Sequence, residues 1–237
     1  MKKVLLLVVS VLSLYGSMVS SIVDVYEDEA VIHIEKVDVG MSGFVIKKFP
    51  FGHSSIIAQG VVQKFDPSTK KATLKIEPYH LFDNESLPTL NKKVEKGDEV
   101  LLGFGYSRAL LIAPTEEIYY KITKQNPNIK WIHPDIFATI LSLKGHPTPL
   151  ASDFISFAHS MFIGLIFIYV DKKLYMLDAL SLQTLQTYNV PFQATTKPHL
   201  PFYTRVKKIR ANWFGEGSST LKAYKPYYQK LLQEDKK

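Results

Sequence analysis

The spacing of apolar residues changes once along this chain, and that change constrains its fold more than any other feature. From about residue 28 to residue 105, apolar residues come in short runs split by polar turns: "AVIHIEKVDVG", "GFVIKKF", "SIIAQGVVQKF", "ATLKIEPY". Alternation with a period of two places one side of each run inward and the other in water, as in a half-buried strand. Between the last two runs lies "DPSTKK", where Asp66-Pro67 favours a turn, so the pair is predicted to be a hairpin. Further on, "VEKGDEVLLGF" has a turn at Gly97-Asp98 and a strand from Glu99 to Phe104. Short strands at regular spacing predict a small antiparallel β-barrel or sandwich.

Beyond residue 107 strands alternate with helices. "ALLIAP" reads as a buried strand, and "TEEIYYKITKQN" as a helix capped by Thr115, with Glu116 and Glu117 against its N-terminal dipole. A short strand, "IKWIHP", leads into "PDIFATILSLKG", a helix with Pro134 at its start and Gly145 at its end. Asp135 is expected to cap or flank that start. A third helix, "ASDFISFAHSMF", is assigned Ser152 as its cap. "GLIFIYV" and "KLYMLD" form a hairpin around Asp171-Lys172, and "LQTLQTYNV" follows as a strand. "YTRVKKI" alternates like an edge strand, and the chain finishes in a short helix with Tyr228, Leu231 and Leu232 on its packing face. The fold class is therefore α+β: a barrel or sandwich, then an α/β layer, then a C-terminal helix. Expected boundaries are 1–21 for a leader, 22–106 for the β-rich part, 107–217 for the α/β part and 218–237 for a helical tail.

The first residues, "MKKVLLLVVSVLSLYGSMVSS", have the layout of a secretory signal peptide: Lys2 and Lys3, an apolar run from Val4 to Leu14, then small and polar residues. Val19 and Ser21 fit the −3/−1 pattern, so cleavage is expected after Ser21. Without that leader the net charge drops from +7 to +5, a mild excess spread among alternating Lys and Glu. It predicts a solvated surface with no nucleic-acid footprint. The ten-residue apolar run at 161–170 is too short to span a bilayer and suits a core strand, so no transmembrane helix is expected in the mature chain. The leader predicts an exported protein, with the cell surface, the outer membrane and the periplasm as the compartments open to it.

Little in the sequence carries catalytic chemistry. The chain has no cysteine, which removes disulfides, thiolate nucleophiles and cysteine-based zinc sites. Its histidines, at 33, 53, 80, 133, 146, 159 and 199, show no helix-face ligand spacing, so no metal and no cofactor are expected. "GFGYSR" at 103–108 lacks the third glycine and following helix of a phosphate loop, and no nucleophile elbow frames any serine. The protein is therefore read as a non-enzyme. One basic cluster, Arg205, Lys207, Lys208 and Arg210, interleaved with Tyr203, Trp213 and Phe214, is a candidate patch for an anionic glycan.

Six stretches, in order, carry a resemblance: "GFVIKK", "LPTLNKKVEKGDEVLLGF", "ALLIAPTEEIYYKI", "IHPDIFATIL", "GLIFIYV" and "PFYTRV". From about Gly40 to Gly217 the chain resembles the N-terminal domain of the plasminogen-binding surface proteins of epsilonproteobacteria. That resemblance implies an exported protein of the cell surface, associated with virulence and host interaction, that captures host plasminogen through its kringle domains without catalysis. It also implies binding through lysine at the chain's end, here Lys237 with Lys236 in support. A kringle lysine pocket holds the ammonium at an acidic pair, the carboxylate at a base and the methylene stem on aromatic rings. Family members continue into a long tail rich in Lys and Glu, whereas the sequence here reads to Lys237. The alternative function is a structural or adaptor domain of the cell envelope without a host ligand.

Overall fold

The computed structural model describes residues 16–79, 92–192 and 195–234. Its first half is a closed antiparallel barrel of six strands: β1 (Met18–Tyr26), β2 (Glu29–His33), β3 (Ser42–Lys48), β4 (Ser54–Asp66), β5 (Lys71–Pro78) and β6 (Glu99–Leu102). Around the barrel the order is β1-β2-β5-β4-β3-β6, with β6 returning to β1. The β4–β5 hairpin turns where the sequence predicts. Asp66 accepts hydrogen bonds from the backbone and hydroxyl of Ser68, at 2.9 and 2.7 Å, and from Thr69 Oγ1 at 2.9 Å. Those donors, the Ser68 hydroxyl foremost, draw its carboxyl down to about 2. Gly43 is required by closure: a Cβ there would sit 2.5 Å from the Leu101 carbonyl oxygen on the facing strand.

The second half is a five-stranded sheet in the order β11-β10-β9-β7-β8, built from β7 (Arg108–Ile112), β8 (Lys130–Ile132), β9 (Leu165–Val170), β10 (Lys173–Asp178) and β11 (Thr184–Asn189). β8, β7 and β9 are parallel, and β10 and β11 antiparallel. The connections are α1 (Glu116–Gln125) between β7 and β8, then α2 (Pro134–Lys144) and α3 (Ala151–Met161) between β8 and β9. α4 (Tyr224–Glu234) packs against β9. The run "LIFIYV" is buried at every position, as expected of a core strand covered on both faces.

Alternation along the central strands divides the core in two. Ala109, Leu111, Leu165, Phe167 and Tyr169 face one way and join the barrel interior and α1 in a single cluster. Leu110, Ile112, Ile166, Ile168 and Val170 face the other way and pack with α2, α3 and α4. The sheet is thus a middle layer between barrel and helices. Between barrel and sheet sits Asp178, fully buried at the end of β10. One of its oxygens accepts from Ser42 N (2.8 Å), Ser42 Oγ (2.7 Å) and the Tyr106 hydroxyl (2.7 Å). The other accepts from the backbone of Leu180 and Ser181, both at 2.9 Å. Ser181 Oγ completes the junction by donating to Gly40 O at 2.6 Å.

Local expectations meet the structure unevenly. Thr115 caps α1, its hydroxyl accepting from Ile118 N, and Gly145 ends α2 in the left-handed region at φ 73°. "GFGYSR" is a turn. Gly105 has φ 76°, and a Cβ on Gly164 would lie 2.4 Å from the Gly105 carbonyl carbon, so both glycines serve a backbone crossing. Ser152 does not cap α3. The N-cap position is Leu150, and Asp153, one turn in, accepts from its N–H at 2.9 Å. His133, not Asp135, caps α2: its Nδ1 accepts from Asp135 N at 3.2 Å. "YTRVKKI" is not an edge strand: it pairs with no strand among the described residues. It lies along α2, where Thr204, Arg205, Arg210 and Asn212 bond to Asp135, Ser142 and Lys144.

Candidate functional site

α4 is the element that leads toward the predicted lysine ligand, and its anchoring is specific. Tyr224, Tyr228, Leu231 and Leu232 are buried against the sheet and its covering segments, as the packing face requires. The Tyr224 hydroxyl donates to Ile112 O and Tyr169 O, at 3.2 and 2.8 Å, and the Tyr228 hydroxyl to Pro201 O at 3.0 Å. Tyr227 donates to Pro149 O, and Lys225 pairs with Asp171 at 2.8 Å. Burial holds the Tyr224 and Tyr228 phenols well above the ordinary tyrosine range. Gln233 is exposed. Lys236 and Lys237 lie outside the described residues, beyond a helix fixed along its length.

The basic cluster is divided by its own contacts. Arg205 is held by Asp135, whose Oδ2 accepts from Nε at 2.6 Å and whose Oδ1 accepts from the Arg205 backbone at 2.8 Å. Thr204 Oγ1 also donates to Asp135 Oδ1, at 2.8 Å. Burial raises the Asp135 carboxyl, but the bonds from the Arg205 backbone, Thr204 and the Arg205 guanidinium outweigh it and leave the group below the usual range. Lys207, Lys208 and Arg210 are exposed, and neither lysine has a partner among the described residues. Trp213 and Phe214 stand in solvent, whereas Tyr203 is buried, so the interleaving seen in the sequence does not form one surface.

Tyr203 belongs instead to a ring cluster with Tyr119, Tyr120, His133 and His199. The Tyr119 ring centroid is 5.5 Å from that of Tyr203 and 5.3 Å from that of His133. Since His133 Nδ1 accepts a backbone hydrogen bond, its proton is on Nε2, which is buried with no hydrogen-bond partner. The rings of Tyr119 and Tyr203 both meet the imidazole at steep, edge-on angles. Burial lowers the His133 imidazole, and the Asp135 charge offsets it only in part. A histidine bound to its own helix start and walled by rings is a structural cap.

A cleft of about 490 Å³ opens between the ends of β7 and β9. Pro114, Tyr169, Val170 and Leu200 give it apolar walls, and Lys197 and Lys222 are among its lining residues. Nothing in the sequence announces this cleft, because its walls come from four separate segments. Among the described residues no three His, Asp or Glu are grouped to hold a metal ion, and no helix is long and apolar enough to cross a membrane.

A family model described as "Plasminogen-binding protein pgbA N-terminal" matches residues 17–232, from the strand that closes the barrel to the last turn of α4. The chain belongs to this family. Among curated proteins it is similar to "Plasminogen-binding protein PgbA" of Helicobacter pylori strain J99 / ATCC 700824, with 28% identity over 202 residues. The same protein of strain ATCC 700392 / 26695 gives the same identity over the same length. In both cases the aligned stretch is 84% of this chain and 43% of the relative. This chain thus spans less than half the length of those relatives. Both are named as binding proteins, not as enzymes.

Proposed function

We propose that this chain is an exported, non-catalytic protein of the bacterial surface that binds host plasminogen. The contact is made by lysine carried past the end of α4, at Lys236 and Lys237. The observation that supports the reading most is the reach of the family match, which covers residues 17–232 and therefore the whole described fold except Gly16 and the last residues of α4. The mechanism is that of a held-out side chain. α4 is fixed through three tyrosine hydroxyls, so the residues after Glu234 leave from a rigid base. A lysine there offers a kringle pocket its ammonium and its methylene stem.

Surface plasmon resonance of the mature chain on immobilised plasminogen tests this. Deleting Lys236 and Lys237, or adding ε-aminocaproic acid as a lysine analogue, is expected to abolish capture. Capture that survives both treatments moves the contact away from lysine. If the intact chain gives no capture, the plasminogen reading itself fails and the envelope-adaptor reading takes its place.

A further inference from the structure

We propose that export of this chain involves a cut ahead of Met18, at the Gly16–Ser17 bond, and that Met18–Ser21 remain in the protein as the strand that closes its barrel. The proposal rests on the reading of residues 1–15 as an export leader. It replaces the cut after Ser21 that the −3/−1 pattern alone suggests.

The register decides the matter. β1 meets β6 through Met18↔Leu102, Val19↔Leu101, Ser20↔Val100 and Ser21↔Glu99, and these four pairs are the whole of that ladder. A cut after Ser21 removes all of them. β6 would keep β3 on one side and have an unpaired edge on the other, and the closed barrel would become an open sheet. Ser20 Oγ, which donates to His33 O at 2.7 Å, would go as well. The new N-terminus would be worse placed still. Ile22 is 1% exposed, its N–H donates to Asp98 O at 2.9 Å and its carbonyl accepts from Gly97 N at 2.9 Å. Cutting before Ile22 would put a charged ammonium where the seam now has a neutral N–H bonded to Asp98 O.

Five residues upstream none of this applies. Gly16 is exposed, and a Cβ built on it meets nothing within 4 Å. Gly16 is a small residue of the kind that leader peptidases accept at the −1 position. Water adds across the Gly16–Ser17 bond: the C–N bond breaks, Gly16 leaves with the new carboxylate and Ser17 takes up the proton as the new amino terminus. The peptidase meets the chain before it folds, so the barrel does not shield the bond at 21. The constraint acts on the product, which must still close. The family match, which begins at residue 17, falls at the same boundary.

The full chain, expressed in an exporting bacterium and recovered from the envelope, gives the answer by intact mass. The expected chain begins at Ser17, or at Met18 if the peptidase steps one bond on. Gly16→Arg, which puts a bulky cation at −1 in open space, should leave the full-length precursor uncut. Ser21→Arg, on an exposed position of β1, should be processed like the parent. A mature chain beginning at Ile22, with Ser21→Arg blocking the cut and Gly16→Arg not, overturns the proposal. An envelope-bound chain that still begins at Met1 also overturns it but leaves export standing. A full-length chain confined to the cytoplasm defeats the export reading instead.

Discussion

Asp178 and Asp135 do the same job in two regions of the molecule, each tying together segments far apart in sequence, yet their surroundings are opposite. Asp178 joins the end of β10 to Ser42, 136 residues away, in a fully buried site where every donor is neutral. Asp135 joins the start of α2 to Thr204 and Arg205, about 70 residues away, with 21% of its side chain exposed and a cation in contact. The dry site secures barrel to sheet, where a lost bond cannot be replaced by water. The wetter one secures a strap across a helix, where water and the Arg205 charge share the load.

The strongest way to break the comparison is Asp178→Asn. Both oxygens of Asp178 face donors, so either orientation of an amide turns its NH₂ toward N–H or O–H groups. We expect a loss of about 3–5 kcal/mol, measured by urea unfolding, in the range for buried polar groups stripped of their partners. Barrel and sheet should also lose cooperativity, so hydrogen exchange is expected to report faster opening at Ser42 and Tyr106 than at α2. A loss as small as that of a surface substitution would mean that the apolar contacts of the shared core hold the two halves together unaided.

The contrast also explains what was legible in the sequence. Local chemistry was: the period-two runs of the barrel, the Thr115 cap, the Pro134–Gly145 frame of α2, and the packing face at Tyr228, Leu231 and Leu232 all follow from neighbours within a few residues. Features built across long separations were not. Nothing near Asp178 shows that its donors come from residues 42 and 106. "YTRVKKI" has the alternation of a strand, but whether a strand lies beside it is settled elsewhere, and α2 lies there instead. Ser152 matches a helix cap in type, but the backbone at Leu150 with Asp153 one turn in took the position. Val19 and Ser21 satisfy a peptidase pattern and a strand equally well, and their pairing with β6 is not written in their neighbours. Of the candidate patch, the structure binds Arg205 inward and leaves Lys207 and Lys208 outward, a division that no charge count contains.

A smaller effect, which sharpens the comparison, comes with acid. Burial lowers the imidazoles of both His133, beside Asp135, and His159, in the groove between barrel and α3, below the ordinary value of 6.5. The unfolded chain takes up protons near 6.5 while the folded chain refuses them until lower pH. Stability from these groups is therefore present above 6.5 and is lost as pH falls through that value. The unfolding midpoint is expected to drop by a few degrees between pH 7 and pH 5. His133→Asn keeps an acceptor at the α2 cap and removes one titration; His159→Phe removes the other. The double variant should be flatter over that window, measured by circular dichroism melts. A parent protein with no change between pH 7 and pH 5 would contradict the lowered values.

The smallest effect expected is that of Arg205→Ala, and its size is the point. Alanine retains the backbone N–H that donates to Asp135 Oδ1, and Thr204 Oγ1 still donates to the same oxygen. Only the Nε contact at 2.6 Å is lost, from a side chain 65% exposed. Surface ion pairs of this kind contribute little, so the melting midpoint should fall by roughly 1–3 °C. Asp135 should respond more clearly than stability does. With the guanidinium gone its carboxyl titrates at higher pH, which carboxyl NMR shifts across an acid titration would follow, and the melting difference should shrink in high salt. A fall comparable to that of Asp178→Asn would show the strap to be as structural as the barrel junction, and the distinction between a dry clasp and a wet one would not hold.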